Sequence, residues 1–305
     1  MAAWKPDVCL YHFPCDDGFA AAWVVRQRWP DCRLEPTNYG LPLPDGLAGK
    51  NVLMVDFSLK RDAMLELARY ARSVVVLDHH ASAQDELRDF TVGWTPIHPD
   101  APEFTGWQVM LDDPRTDPTH RVLAHFDMSQ SGAQLAWGFI RPFLPPPLIV
   151  NFVADRDLWR FAIPNSRKFS LFLRSHPYDF DVWTDIADRL NADLTGDGVL
   201  AEAAAIERYH DARIAELVPT ATLQRIGEWA GVPVAHAPYT FASDLGHALL
   251  KAHPDAPFAA VVVDAYGART FSLRSENSRE DVSKVARAFG GGGHRNAAGF
   301  RVPVV

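Results

Sequence analysis

The chain has 305 residues, 48% hydrophobic and 22% charged, a globular balance with enough apolar content for more than one core. Its net charge of −8 argues against a protein that coats long nucleic acid with a basic face, although small phosphorylated substrates stay compatible with it where bound cations supply local positive charge. Three cysteines, Cys9, Cys15 and Cys32, with no CxxC spacing, speak against a disulfide framework or a zinc finger. The N-terminus lacks a basic segment followed by an apolar stretch, and no run of eighteen apolar residues occurs. The expectation is a soluble protein of a reducing cytoplasm, with no membrane partner.

In chain order, three short β-branched runs each end in ligand-type side chains. "DVCLYH" leads to His12, "KNVLMVDFS" ends at Asp56, and "RSVVVLDHH" ends at Asp78, His79 and His80. Nearly continuous apolar runs of this length read as strands buried on both faces. Helical patterns separate them, "GFAAAWVVRQRW" and "KRDAMLELARYAR". Strand–helix–strand–helix–strand predicts a parallel sheet with crossover helices, and ligands gather at the carboxyl ends of such strands. Residues 91–120, rich in Pro, Asp and Thr, read as a surface excursion. "MSQSGAQLAWGFIRPFL" resumes a helix, and "PPPLIVNFVADRDLW" reads as a fourth apolar run closing on acids, Asp155 and Asp157. A turn cluster, "DLTGDG" (193–198), precedes an Ala- and Glu-rich helix from Val199 to Val218. "FAAVVVD" and "RTFSLRS" flank "AYGA" as a hairpin, and "SREDVSKVARAF" is a helix running into a glycine loop.

His12, Asp17, Asp56, His79 and one Asp of "ADRD" can thus converge at one sheet edge. Imidazole mixed with carboxylate suits Mn²⁺, Fe²⁺ or Zn²⁺. Several carboxylates together repel unless cations are present, and two ions bridged by one carboxylate form a site for in-line attack on phosphorus. Asp56, alone at its strand end, is the candidate bridge. A lone Asp after a strand is also an ordinary helix cap, so it is the ordered set that carries the metal reading.

"GGGGHRNAAGF" (290–300) is the second anomaly. One glycine ends a helix; four in a row carry an entropic cost. Successive backbone N–H groups of Gly291, Gly292 and Gly293 can form an anion-binding nest, with His294, Arg295 and Asn296 following and Arg274 on the preceding strand.

These features together resemble the DHH phosphoesterase family. "VVVLDHH" looks like its signature motif, "YHFPCDDGFAAAW" its first, "LMVDFS" its second and "NFVADRDLW" its fourth. "GGGGHRNAAGF" is similar to the signature of the DHH-associated C-terminal domain. The match covers nearly the whole chain apart from 91–120. The resemblance implies an α/β fold: an N-terminal parallel-sheet DHH domain plus a smaller C-terminal α/β domain, with the active site in the cleft between them. On this sequence the expected divisions are 1–192, a linker helix at 193–220, and 221–305.

It also implies two Mn²⁺ ions held by His12, Asp17, Asp56, His79 and Asp155, with Asp157 the alternative to Asp155. The common first motif has His, then Asp at +4 and +6. Here Asp16 and Asp17 stand at +4 and +5, and aligning the Asp17–Gly18 pair puts Cys15 in the place of the first Asp. Cys15 or Asp16 fills the remaining position, and a thiolate would favour Zn²⁺ or Fe²⁺. This variant is similar to a subgroup labelled exopolyphosphatase-like or nanoRNase-like. His80 is expected to face the reacting phosphate and Asp78 to orient a neighbouring histidine, with Asp56 also catalytic as the bridge. Arg274, the glycine loop and His294 are expected to grip a terminal phosphate. The expected substrate is small and phosphorylated (a dinucleotide, short RNA or polyphosphate), not long nucleic acid, and a homodimer stays open. The leading expectation is a phosphodiesterase of short oligonucleotides or dinucleotides. The rivals are an exopolyphosphatase or pyrophosphatase and a nucleotide-binding regulatory module with a defective metal site.

Overall fold

The computed structural model describes residues 4–90, 100, 116–192, 198–265 and 267–303. The chain divides into two compact units, Met1–Ala204 and Ala205–Val305. Most of the 91–120 stretch, and all but the last residue of "DLTGDG", lie outside the described residues.

In the N-terminal unit the chain runs β1 (Val8–His12), α1 (Asp16–Arg28), β2 (Arg33–Thr37), β3 (Asn51–Val55), α2 (Arg61–Tyr70), β4 (Ser73–Asp78), α3 (Ala81–Glu86), β5 (Val122–Phe126), α4 (Gly132–Ile140), α5 (Leu148–Asp157), α6 (Ser166–Leu173) and α7 (Phe180–Ala192). The five strands pair in the order β2-β1-β3-β4-β5, every pair parallel. Side chains alternate across the pleat. Val8, Leu10, Val52, Met54, Val74 and Val76 bury one face against Met64 and Leu67 of α2. Cys9, Leu53 and Val75, equally buried, point to the opposite face, which α1 and α4 cover. Each fully buried Val or Leu contributes about 1.5–3 kcal/mol, so the apolar runs define this sheet before any polar group is placed. The order reverses between β1 and β3, and at such a switch point a crevice opens beyond the carboxyl ends of the strands.

The fourth ligand-bearing run is a correction to the sequence reading. "LIVNFVADRD" is helix α5, not a strand. Pro147 directly precedes its first turn, a position where its missing N–H and fixed φ are tolerated. Short apolar runs do not separate buried strand from buried helix by periodicity alone.

In the second unit, α8 (Val199–Leu217), which spans the division, leads to β6 (Thr222–Ile226), β7 (Trp229–His236), α9 (Ala242–Ala252), β8 (Ala259–Ala265), β9 (Ala268–Arg274), α10 (Val282–Ala288), β10 (Gly292–His294) and β11 (Ala297–Pro303). The sheet order is β10-β11-β9-β8-β7-β6, antiparallel except for β7–β8. Two cores lie on it. Val232, Phe258, Val262, Leu273 and Val285 form one, and Leu245, Leu249, Ala259 and Val261 the other. No helix among the described residues is long and apolar enough to cross a membrane.

Candidate metal centre

The carboxyl ends of β1, β3 and β4 bring His12, Asp56, Asp78, His79 and His80 together, and the first turn of α1 adds Cys15 and Asp17. Asp56 lies at the centre. It directly follows β3 with φ +52, a left-handed conformation uncommon for a residue with a side chain and costing on the order of 1–3 kcal/mol. Its Oδ1 is 3.1 Å from His79 Nε2 and its Oδ2 is 3.4 Å from His12 Nδ1. The same His79 nitrogen is 3.5 Å from Asp157 Oδ2 and 3.7 Å from Asp17 Oδ2.

Three sets of donor atoms lie within metal-binding distance of one another in this unit: His12, Cys15 and Asp56; Asp17, Asp56 and His79; and Asp56, Asp78 and His80. Asp56 belongs to all three. Among the described residues, His12 Nδ1 and Asp56 Oδ2, which face each other as an ion pair at 3.4 Å, have no hydrogen-bond partner, and neither does Asp78 Oδ2. Orphaned acceptors in a buried site are costly unless a cation completes them. The donor set and its orphaned atoms therefore fit a divalent metal.

The electrostatics point the same way. Burial raises the Asp17 carboxyl well above its ordinary value, and the nearby Asp56 and Asp157 carboxylates raise it further. Burial likewise raises Asp157. Burial works against ionisation of Asp56 too, yet the facing His12 and His79 imidazoles hold it well below the carboxylate range. His79 is pushed up to about 11: burial opposes the shift, and Asp56, Asp157 and Asp17 overcome it. A site of packed carboxylates thus keeps protons as its counter-ions, and a divalent cation would displace them.

The surrounding elements fix each member. Asp17 Oδ1 accepts from Ala133 N at 3.0 Å and Oδ2 from Gly132 N at 2.5 Å, so the carboxylate sits on the positive N-terminus of α4. A Cβ at Gly132 would collide with Asp56 Cβ, so only glycine lets the helix approach this closely. The signal in the sequence was "SGAQ": Ser131 and Gln134 form a capping box that fixes this helix start, and its role at the site was not foreseen. Asp78 Oδ1 receives His80 Nδ1 at 2.7 Å and the His79 backbone N at 2.7 Å.

The members of each alternative pair, Cys15 and Asp16, Asp155 and Asp157, have different neighbours. Asp16 points away, its carboxylate 2.5 Å from Arg174 Nε and 2.7 Å from the Tyr178 hydroxyl, whereas Cys15 joins the His12–Asp56 set. Burial, with the Asp56, Asp157 and Asp17 carboxylates, raises the Cys15 thiol well above its ordinary value. Asp155, the favoured residue of "ADRD", lies elsewhere. It accepts from Ala162 N, Ile163 N and the Ser166 hydroxyl and so ties the end of α5 to the start of α6. Asp157 is the one beside His79.

In the second unit, three of the four glycines have structural reasons, one of backbone conformation and two of packing. Gly290 follows α10 with φ +78. A Cβ at Gly291 would collide with Gly299 O, and one at Gly293 would lie 2.6 Å from Ala297 O. His294 pairs with Ala297 across the β10–β11 hairpin, and Asn296 Nδ2 donates to Asn277. Arg274 donates to Ser272 Oγ, Leu273 O and Ser243 Oγ.

No family model matches the chain. Oligoribonuclease NrnB of Bacillus subtilis (strain 168) is 34% identical over 271 residues, covering 82% of this chain and 59% of NrnB. The uncharacterized protein R106 of Acanthamoeba polyphaga mimivirus is 28% identical over 314 residues, covering 96% of this chain and 67% of that protein. The chain thus spans about three fifths to two thirds of these curated relatives. A solved DHH domain, from a member of a family of ribosomal proteins, matches with a TM-score of 0.53 at 13% identity, over 97% of this chain and 82% of that one. The chain thus has the fold of a DHH domain, and its ordered motifs are similar to those of the DHH phosphoesterases.

Proposed function

We propose that this chain is a metal-dependent phosphodiesterase of short oligonucleotides or dinucleotides. The observation that carries the metal half is Asp56, common to all three donor sets and bearing a buried oxygen that has no hydrogen-bond partner among the described residues. The substrate half is supported by the oligoribonuclease relative.

His12, Cys15 and Asp56 would hold one divalent ion and Asp17, Asp56, His79 and Asp157 the other. The mixed donors suit Mn²⁺, and the Cys15 thiolate widens the choice to Zn²⁺ or Fe²⁺. When bound, such ions supply positive charge for the phosphate and acidity for an attacking water. The chain's own residues do the rest. The α4 N-terminus fixes Asp17 through two backbone donors. Asp78 holds His80 by Nδ1, which fixes the ring so that it can donate to a phosphate oxygen. Arg274, Gly291, Gly292, Gly293, His294 and Asn296 would hold a terminal phosphate.

A hydrolysis panel with Mn²⁺, Zn²⁺ or Fe²⁺ tests this reading on diribonucleotides, cyclic dinucleotides, 3′-phosphoadenosine 5′-phosphate and polyphosphate. Turnover of a dinucleotide, lost on chelation and restored by Mn²⁺, is the expected result. Turnover of polyphosphate alone, or binding without turnover in excess Mn²⁺, would overturn it.

A further inference from the structure

Just beyond β2, the segment Asn38–Leu41 forms a tight turn closed by Leu41 N donating to Asn38 O at 3.2 Å. Gly40 has φ +82, the value a type II turn demands at its third position. That places Tyr39 at the second position, on the outside of the corner. The turn is tied down. Asn38 Nδ2 donates to Phe13 O at 2.8 Å, Phe13 N donates to Thr37 O at 2.9 Å, and Tyr39 N donates to Asn38 Oδ1 at 2.7 Å. Phe13 is the residue after His12, so the turn is braced against the strand end that carries the candidate centre.

The Tyr39 ring leans on that centre. Its centroid is 5.7 Å from the His12 ring and 6.2 Å from the His80 ring, edge to face in both cases, and 5.1 Å from Phe57. Yet Tyr39 is 51% exposed, although Phe57 beneath it is buried. Isolated exposed aromatics are common and need no explanation. This one is held half-exposed by three ring contacts and a braced turn, against both imidazoles of the candidate centre.

We infer that Tyr39 is a stacking platform for a nucleobase of the substrate, and that it makes the site prefer nucleotide phosphodiesters over phosphates without a base. This rests on the phosphodiesterase reading above and names its substrate class more closely. A phosphate held near His12 and His80 would have the Tyr39 ring, in contact with both imidazoles, within reach of its nucleoside. Stacking on an aromatic side chain contributes about 1–3 kcal/mol per base with little sequence preference. A polyphosphate chain has no group that would use such a surface.

The test compares wild type, Y39A, Y39F and Y39W on two phosphodiesters, a diribonucleotide and its analogue lacking the base on one side of the scissile phosphate. The quantity read is the ratio of kcat/KM for the two. Y39A should lower that ratio by about 5- to 150-fold, through KM on the dinucleotide, whereas Y39F and Y39W should keep it. An unchanged ratio in Y39A overturns the inference. A ratio lowered equally in Y39F assigns the effect to the hydroxyl and overturns it too. Equilibrium binding of the dinucleotide to wild type and Y39A separates this inference from the activity it rests on. Binding that Y39A weakens and Y39F keeps, without turnover by wild type, sinks the phosphodiesterase reading but upholds the platform. Failure of wild type to bind the dinucleotide at all sinks both.

Discussion

The carboxyl edge of the N-terminal sheet and the glycine hairpin of the C-terminal sheet look equally anomalous as sequence, and the structure treats them oppositely. At the sheet edge, packing leaves polar atoms unfinished: among the described residues His12 Nδ1, Asp56 Oδ2 and Asp78 Oδ2 are buried without a hydrogen bond, and Asp56 sits at positive φ. In the hairpin, packing explains most of what looked special. Gly291 and Gly293 lie against neighbouring backbone, and Arg274 is spent on Ser243, Ser272 and Leu273. Buried polar atoms that the fold leaves without a hydrogen bond point directly to a cation, whereas the hairpin residues have a structural reason to be there whatever else they hold.

The largest expected effect breaks the comparison on its first side. Asp56→Ala removes the donor common to all three sets. Loss of a residue that merely orients a metal ligand costs about 10–100-fold in affinity or activity, so loss of the shared donor should exceed about 100-fold. Bound metal, measured by elemental analysis of the purified protein, should fall in parallel while circular dichroism keeps its folded signature. Normal metal content with most of the activity retained would remove Asp56 from the centre.

Within one helical turn, Asp155 and Asp157 repeat the contrast. Asp155 has its oxygens occupied by Ala162 N, Ile163 N and Ser166 Oγ; Asp157 faces His79. Asp155→Ala leaves three donors without their acceptor and should cost on the order of 3 kcal/mol in urea unfolding. Asp157→Asn should reduce metal content and activity with little change in the unfolding midpoint. If the two variants exchange these behaviours, the assignment of Asp157 to the centre is wrong.

Much of this was legible in the sequence. The strands ending at His12, Asp56 and Asp78 followed from three β-branched runs separated by helical periods, and the parallel sheet followed from their order. The β8–β9 hairpin was legible from two apolar runs around a short turn. Strand β2, "RLEPT", was not, because an exposed edge strand carries neither an apolar run nor clean alternation. The choice between Asp155 and Asp157 was out of reach for a different reason. It depends on which acid the turn after α5 captures with its backbone N–H groups, a tertiary contact seven and eight residues downstream. The helix nature of α5 hid in a run too short for its period to be decisive.

Arg274 sharpens the hairpin side. Its three hydrogen bonds within the second unit make it a fixed guanidinium, and a fixed guanidinium still offers a planar fork to a phosphate. Arg274→Ala should spare metal content. It should lower kcat/KM about tenfold on a substrate with a terminal phosphate, the scale of one charge-assisted hydrogen bond, and less on a small generic diester. Equal loss on both, with metal intact, would place Arg274 at the reacting phosphate.

The smallest effect contrasts two histidines on neighbouring strands. His79 directly follows β4 among carboxylates and is pushed up to about 11, while His125, on β5 opposite Leu77, is pushed down to about 4 by burial, with Asp127 opposing only in part. The sign for His125 follows from where the proton binds. In the unfolded chain its imidazole titrates near the ordinary value of about 6.5, whereas in the folded protein it stays neutral until about pH 4. Between those values the unfolded chain holds the extra proton, so His125 contributes stability above pH 6.5 that is lost as pH falls toward 4. Other groups titrate in the same window, so wild type must be measured against His125→Gln, which cannot charge. The difference in unfolding free energy between them should move in favour of the Gln variant on going from about pH 7 to about pH 4.5, by about 1 kcal/mol after allowance for the partly exposed ring. A constant difference across that range would mean that folding does not lower the His125 pKa.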